Sequence, residues 1–279
     1  MPTTAASSPA SSPPNFGTKK WRLEIRDWRL KVLTYNLEFG GRKQLEAIHT
    51  ILAQTNADII GLTEADDHEV VKILAELLEM HHAWGHGSGK RHIALLSRYP
   101  IQQWQIYNQP PLTQAALEAK FELPNGPLTI YNVHFLPFLL LPFEIRRRQA
   151  VGKLLQIIRA KPPTPHLIIG DINAIGPGDR VLQHKNPTRM RRLMLLQFRL
   201  IFRLAIPRLL RAGYTDCFRY LHPHADGFTW WTTNPTTRYD YIFADAHMLS
   251  KLQACRVVDD HPAVHLASDH FPLLAEFTS

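Results

Sequence analysis

The sequence predicts a mixed α/β sandwich, two packed β-sheets with helices on their outer faces, and three observations lead there. Short apolar runs, among them Leu30–Tyr35, Ile59–Thr63 and His166–Gly170, read as buried strands. These runs alternate along the chain with stretches of helical period, a mixture that needs sheets covered by helices. Each run also borders on polar residues able to do chemistry: Asn36, Glu64, Asp171 with Asn173, and Asp269–His270 ahead of the last run, Phe271–Phe277. Side chains at the ends of rigid strands would project into one shared cleft.

In chain order, strand Leu30–Tyr35 is followed by a helix near Lys43–Gln54, strand Ile59–Thr63, a helix near Glu69–Met80 and strand Ile93–Ser97. Strand-rich pieces then cover Gln103–Tyr107, Ala115–Glu122 and Thr129–Phe135, before a helix near Ile145–Ile158 and strand His166–Gly170. After a basic segment come Phe228–Trp231, Tyr239–Phe243 and Pro272–Phe277, also read as strands. No internal repeat is visible. The first residues, 1–20, are rich in Ser and Pro and lack the charged start and apolar middle of a signal peptide, so a disordered tail is expected there, with one domain over 21–279.

Composition narrows the class. With 279 residues and 45% hydrophobic ones the chain can bury a large core. Two cysteines, Cys217 and Cys255, build no disulfide framework, and no apolar run reaches the ~18 residues of a membrane span. The expectation is a monomeric cytoplasmic protein, with contact to a membrane surface left open. A net charge of +8 resembles a nucleic-acid footprint, but eight of the 32 basic residues lie between Lys185 and Arg211, where no acid occurs. Outside that segment 24 basic residues face 24 acidic ones.

The strand-end residues suit phosphate chemistry. Asp171 and Asn173 are two apart, which on extended chain puts both side chains on one side. The carboxylate can hold a hydrated Mg²⁺ or polarise water, and the amide can steady a phosphate oxygen; Gly-Asp-x-Asn is equally good turn chemistry. Glu64 ends an apolar run and suits a hard cation, or else the N-terminus of the next helix. Asn36 reads as an oxygen ligand or as a cap. Next to a metal, His270 needs a supporting carboxylate, and Asp240 on a neighbouring strand is placed to be one. His134 closes the run Tyr131-Asn-Val-His134, where it could donate to a leaving oxygen. Of Trp230 and Trp231, one can fill the core and the other can floor the cleft.

Taken together, Thr34-Tyr-Asn36, Leu62-Thr-Glu64, Asn132-Val-His134, Gly170-Asp-Ile-Asn173, Arg238-Tyr-Asp240-Tyr-Ile-Phe and Ser268-Asp-His270 resemble, in order, the motifs of the endonuclease/exonuclease/phosphatase superfamily with its DNase-I-like fold. The resemblance implies an α+β four-layer sandwich of two packed, mainly antiparallel sheets, and hydrolysis of phosphoesters with Mg²⁺ or Mn²⁺. It implies Glu64 as the main metal ligand with Asn36 and Asp269 beside it, and Asp171 as the residue that orients or activates water. Asn173 would hold the phosphate, and His270, supported by Asp240, would touch it or act as base. His134 would serve as a second catalytic histidine, and Arg238 and Trp231 would contact substrate. Abasic-site nucleases of the superfamily usually carry a tyrosine motif where this chain has Asn132-Val-His134, which points instead to the branch of DNase-I-like nucleases, sphingomyelinases and inositide phosphatases.

Two insertions stand out. Phe135-Leu-Pro-Phe-Leu-Leu-Leu-Pro-Phe143 follows His134, and the basic segment follows Asn173. On a continuous helix Arg189, Arg192, Arg199 and Arg203 would fall within about 80° of one another, a narrow basic stripe on a mostly apolar surface. Three readings are open: the insertions pack on each other beneath solvated arginines, residues 136–143 and 189–206 meet a membrane surface, or the stripe clamps a phosphate backbone. The partner expected in every case is a phosphodiester, in nucleic acid or in a lipid headgroup.

Overall fold

The computed structural model describes residues 28–112 and 114–278, so the tail expected over 1–20 lies outside the described residues. Strands and helices follow in the order β1 (Arg29–Asn36), α1 (Leu45–Thr55), β2 (Ile59–Thr63), α2 (His68–Leu77), β3 (His81–Gly85), β4 (Ile93–Ser97), β5 (Ile101–Tyr107), β6 (Ala115–Leu123), β7 (Gly126–His134), α3 (Leu141–Arg159) and β8 (His166–Asp171). The chain continues with α4 (Thr188–Leu195), α5 (Ile206–Arg211), β9 (Thr215–Asp216), α6 (Cys217–Leu221), β10 (Asp240–Ala244), α7 (Ala246–Leu249), β11 (Leu252–Val257), α8 (Val264–Ala267) and β12 (Leu273–Thr278).

These strands make two mixed six-stranded sheets, ordered β11-β12-β1-β2-β4-β3 and β5-β6-β7-β8-β10-β9. Each sheet has one parallel pair at its centre, β1 with β2 and β7 with β8, flanked by antiparallel neighbours. A parallel pair delivers two C-terminal strand ends to the same edge. So Asn36 and Glu64 emerge together from the first sheet, while His134 lies in register with Asp171 in the second. The antiparallel neighbour β10 begins at that edge, with Asp240 opposite Asp171, and β12 begins just after Asp269–His270.

Period-two alternation sets the layers. Leu30 and Val32 of β1 face the second sheet, meeting Ile130 and Ile169 in the core between the sheets, whereas Leu33 and Tyr35 turn to Ile48, Ile51 and Leu74 of the covering helices. On the far side Val151 and Leu154 of α3 cover Ile168 and Phe243.

One polar side chain crosses the core between the sheets. Asn132 on β7 is fully buried, and its Nδ2 donates to the carbonyls of Leu62 on β2 at 3.0 Å and Ala94 on β4 at 2.9 Å. Gly61 makes this approach possible, because a Cβ there would lie 2.6 Å from Ile169 Cδ1 and 2.9 Å from Asn132 Oδ1.

The structure departs from the sequence reading in three places. Phe228–Trp231 is not a strand; only Trp230 makes isolated bridges, to Thr237 and His270. Two edge strands, β3 and β11, carry polar or alternating residues whose half-exposed sides mask the apolar signal. The basic segment is not one helix: α4 stops at Leu195, and Phe198 and Arg199 take left-handed φ values of 53° and 58°. Arg203 therefore leaves the predicted stripe and turns inward to the carbonyls of Gly176 and Asp179.

Replacing Asn132 by Ala removes both inter-sheet hydrogen bonds and is expected to lower unfolding free energy by about 1–3 kcal/mol. Urea unfolding followed by circular dichroism measures it, and an unchanged midpoint would show that the amide does not join the sheets.

Candidate active site

At the common edge a chain of hydrogen bonds links both sheets. Asn36 Nδ2 donates to Asp171 Oδ2 at 3.1 Å and lies 3.4 Å from Glu64 Oε1. The backbone N–H of Phe39 donates to Glu64 Oε2 at 3.1 Å. Asp240 Oδ2 accepts from His270 Nδ1 at 2.8 Å, and Ser268 Oγ, which donates to the carbonyl of Asn36, accepts from the His270 backbone N–H. Asp171, Asp240 and His270 offer ligand atoms within 4.8 Å of one another.

Crowding carboxylates into a buried edge shifts their protonation. Burial, and then the charge of Asp240, pushes the Asp171 carboxyl well above the usual carboxylate range, against the opposing influence of His270 and Asn36. The two histidines are driven apart. Burial alone would lower His270, but the charge and hydrogen bond of Asp240 outweigh it and hold the imidazole up at about 10. His134 is pulled down to about 3, first by burial and then by the charges of His270 and Arg91. Its Nε2 stands 3.8 Å from Asp171 Oδ2. The site thus combines an imidazolium tied to a carboxylate with a neutral imidazole beside a second one.

Several predicted residues make contacts that their positions in the sequence do not reveal. Asn173 does not extend β8: with φ of 53° it closes a turn in which its own N–H donates to Asp171 Oδ1 at 2.9 Å, and its Nδ2 donates to the Phe135 carbonyl at 3.1 Å. The turn chemistry of Gly-Asp-x-Asn and the site are one structure. Asn36 points its amide nitrogen at the carboxylates while its oxygen accepts from the Glu38 N–H at 2.9 Å. The hydrogen bonds require this orientation, since a flipped amide would set oxygen against oxygen. Trp230 is the tandem tryptophan that reaches the acids, donating Nε1–H to Asp269 Oδ2 at 3.0 Å; Trp231 stacks beside it with ring centroids 6.1 Å apart.

Arg238 does not reach the cleft. Its guanidinium is buried between Asp216, 2.9 Å from Nη1, and Asp179, 2.9 Å from Nη2, and lies over the rings of Tyr241 and Phe218. The expected substrate contact is therefore not made: the chain turns from loop to strand there and sends the side chain into the core.

Sequence reasoning missed three residues. Glu38 sits beside Asp269 and Glu64, where burial and then the charge of Asp269 raise its carboxyl. Arg91 Nη1 lies 3.2 Å from Glu64 Oε2 and also pairs with Asp66. The only signal for Glu38 was its position two residues after Asn36. Arg91 and Asp66 come from turns with no motif of their own.

The two insertions pack on each other. Gln197 Oε1 accepts from the Leu141 N–H at 3.1 Å, and its Nε2 donates to the carbonyls of Leu139 and Leu200, both at 2.7 Å. Leu139, Met194, Ile175 and Tyr239 form a private core against which Ile201 and Trp230 rest.

Residues 33–270 match the model of the Endonuclease/Exonuclease/phosphatase family. The chain belongs to that family. Exodeoxyribonuclease III of Haemophilus influenzae is 26% identical over 270 residues, covering 89% of this chain and all of the relative. Among solved structures, the 3′ phosphatase NExo from Neisseria bound to a product DNA hairpin superposes with a TM-score of 0.70 at 19% identity, covering 89% of this chain and 99% of that one. An AP endonuclease from Archaeoglobus fulgidus gives 0.69 at 17% identity with the same coverage. These structures share the fold, two sheets flanked by helices.

The buried pairs of Arg238 yield a pH prediction. Burial raises Asp179, but the charge and hydrogen bonds of Arg238, with those of Arg219 and Tyr241, leave its carboxyl below the usual value. A depressed folded pKa means the stabilisation is present above the unfolded value near ~3.9 and is lost as pH falls through the folded one. Asp179→Asn should cost about 1.5–3 kcal/mol at neutral pH, where Asp216 still partners Arg238. The gap between the urea midpoints of the variant and the parent should narrow on acidification below about pH 4; a gap constant with pH would rule the linkage out.

Proposed function

We propose that the chain is a divalent-metal-dependent hydrolase of phosphodiesters. The observation that carries this reading is the hydrogen-bonded run from Glu64 through Asn36 to Asp171, set against the Asp240–His270 pair at one edge of both sheets. The residues fit a hard cation: their donors are carboxylate oxygens, and Asp240 Oδ1 is buried without a partner among the described residues. Glu64 and Asp269, with Glu38 beside them, would hold Mg²⁺ or Mn²⁺. When bound, such an ion supplies positive charge to the phosphoryl oxygens and makes water easier to deprotonate.

The remaining work falls to this chain's own side chains. Asp171, held at one oxygen by the Asn173 N–H and at the other by Asn36, is oriented to take the proton of the attacking water. Asn173 keeps one Nδ2 hydrogen for a phosphate oxygen. Asp240 fixes the ring of His270 so that Nε2 looks toward Asp269, 3.9 Å away, where it meets the scissile phosphate. His134, neutral and enclosed, donates a hydrogen bond to the leaving oxygen. Trp231 offers a half-exposed ring at the cleft wall. Exodeoxyribonuclease III as a relative supports nucleic acid as the substrate class, while the apolar tip of the basic insertion favours a lipid headgroup as a second reading.

Purified protein should hydrolyse bis-p-nitrophenyl phosphate with Mg²⁺ or Mn²⁺ and stop on addition of EDTA. Glu64→Gln and Asp171→Asn should each lower kcat by about 10²–10⁴ without loss of fold by circular dichroism. Turnover that survives EDTA and is unchanged in Glu64→Gln would overturn the assignment; plasmid DNA, RNA, sphingomyelin and phosphoinositides offered in parallel would then sort the substrate.

A further inference from the structure

The tip of the basic insertion is built inside out. Between Met194 and Leu200 the polar Gln197 turns inward, clasping Leu139 and Leu141, while the large apolar side chains turn outward. Phe198 is 89% exposed, Leu196 75%, Leu200 56% and Leu195 54%. Soluble surfaces carry scattered leucines, but a cluster of exposed large apolar residues this close in sequence marks contact with something other than water. The backbone is committed to this arrangement, since Phe198 and Arg199 hold left-handed φ values that side chains of their type rarely adopt.

Charge surrounds the same tip. Arg189, Arg191, Arg192 and Arg199 are all exposed, and among the described residues none of the four forms an ion pair, Arg191 Nη1 making only a long bond to the His184 carbonyl at 3.3 Å. Arg203, by contrast, is spent on internal carbonyls, so the outward arginines are not merely the structural ones. Uncovered apolar side chains ringed by unpaired arginines match a bilayer interface, where the former enter the acyl boundary and the latter meet lipid phosphates. Duplex nucleic acid would satisfy the arginines but offers no apolar layer to the Phe198 cluster.

We propose that residues 189–200 form a docking surface for an anionic lipid bilayer, with Phe198 and Leu196 inserting and the four arginines binding headgroup phosphates. The inner side of the same segment packs through Met194 and Ile201 with Trp230, whose indole donates to Asp269. Docking therefore holds one rim of the cleft at the interface. The clasp by Gln197 makes the surface a rigid part of the fold rather than a segment that must order on contact.

Full-length protein sedimented with vesicles of phosphatidylcholine plus phosphatidylglycerol should bind, and with phosphatidylcholine alone should bind weakly or not at all. Phe198→Ser should weaken binding about tenfold and the combination Arg189→Gln, Arg192→Gln, Arg199→Gln about 10²-fold. Both variants alter exposed residues outside the cleft, so hydrolysis of a small soluble phosphodiester should match the parent. Phe198→Trp should show a blue shift of its emission on anionic vesicles, quenched by brominated lipid. Equal affinity for neutral and anionic vesicles, or absence of vesicle binding, would overturn the proposal. Tight duplex DNA binding lost in the arginine variant without vesicle binding would reassign the surface to nucleic acid. A dimer dissolved by Phe198→Ser without vesicle binding would reassign it to a second copy of the chain. Vesicle binding is read without turnover, so its failure stands apart from any failure of the hydrolase reading.

Discussion

Asn132 joins the two sheets, and the site depends on that junction. A buried amide that donates to carbonyls on β2 and β4 of the opposite sheet fixes where one sheet lies on the other, and Gly61 leaves the space it needs. Apolar packing alone is tolerant of small slides between sheet faces, whereas a directed hydrogen bond is not. Two residues along the same strand, His134 inherits that placement and stands opposite Asp171. Bonds such as that from Asn36 on one sheet to Asp171 on the other require the two faces to be set to within a fraction of an ångström.

The electrostatics follow from this geometry. Parallel strand pairs bring carboxylates and amides to one edge, and burial there makes like charges costly. The structure answers with neutral N–H donors: Asn36 shared between Glu64 and Asp171, the Asn173 N–H on Asp171, and the Trp230 indole on Asp269. Asp240 and His270 neutralise each other, leaving His134 as the uncharged member. A buried second cluster, Arg238 with Asp179 and Asp216, borders the loop that carries the tryptophans and keeps its charge out of the cleft. The basic segment adds a surface of another kind, with Phe198 turned outward beside exposed arginines.

Much of this was legible in the amino-acid order. Ile59–Thr63 and Ile93–Ser97 agree with the observed strands to the residue, because both are buried throughout and mostly apolar. Asn36, Glu64, Asp171 and His270 stand out as polar residues closing or opening such runs. Edge strands β3 and β11 were not legible, since exposure on one side lets polar residues in. Arg238 illustrates a different limit. Its motif neighbour Asp240 is in the site, but a buried countercharge waiting on distant segments draws the arginine away.

By itself the sequence determined the central buried strands, which of their faces are apolar and which polar side chains sit at their ends, because hydrophobic period and turn chemistry act over a few residues. Only the tertiary structure decided which atom of the Asn36 amide faces the acids, that Arg203 points inward while Phe198 points out, and that the pKa values of the two histidines are driven in opposite directions. Those properties arise from burial and from partners tens or hundreds of residues away, as in the bond from Asn36 to Asp171, and no local pattern records them.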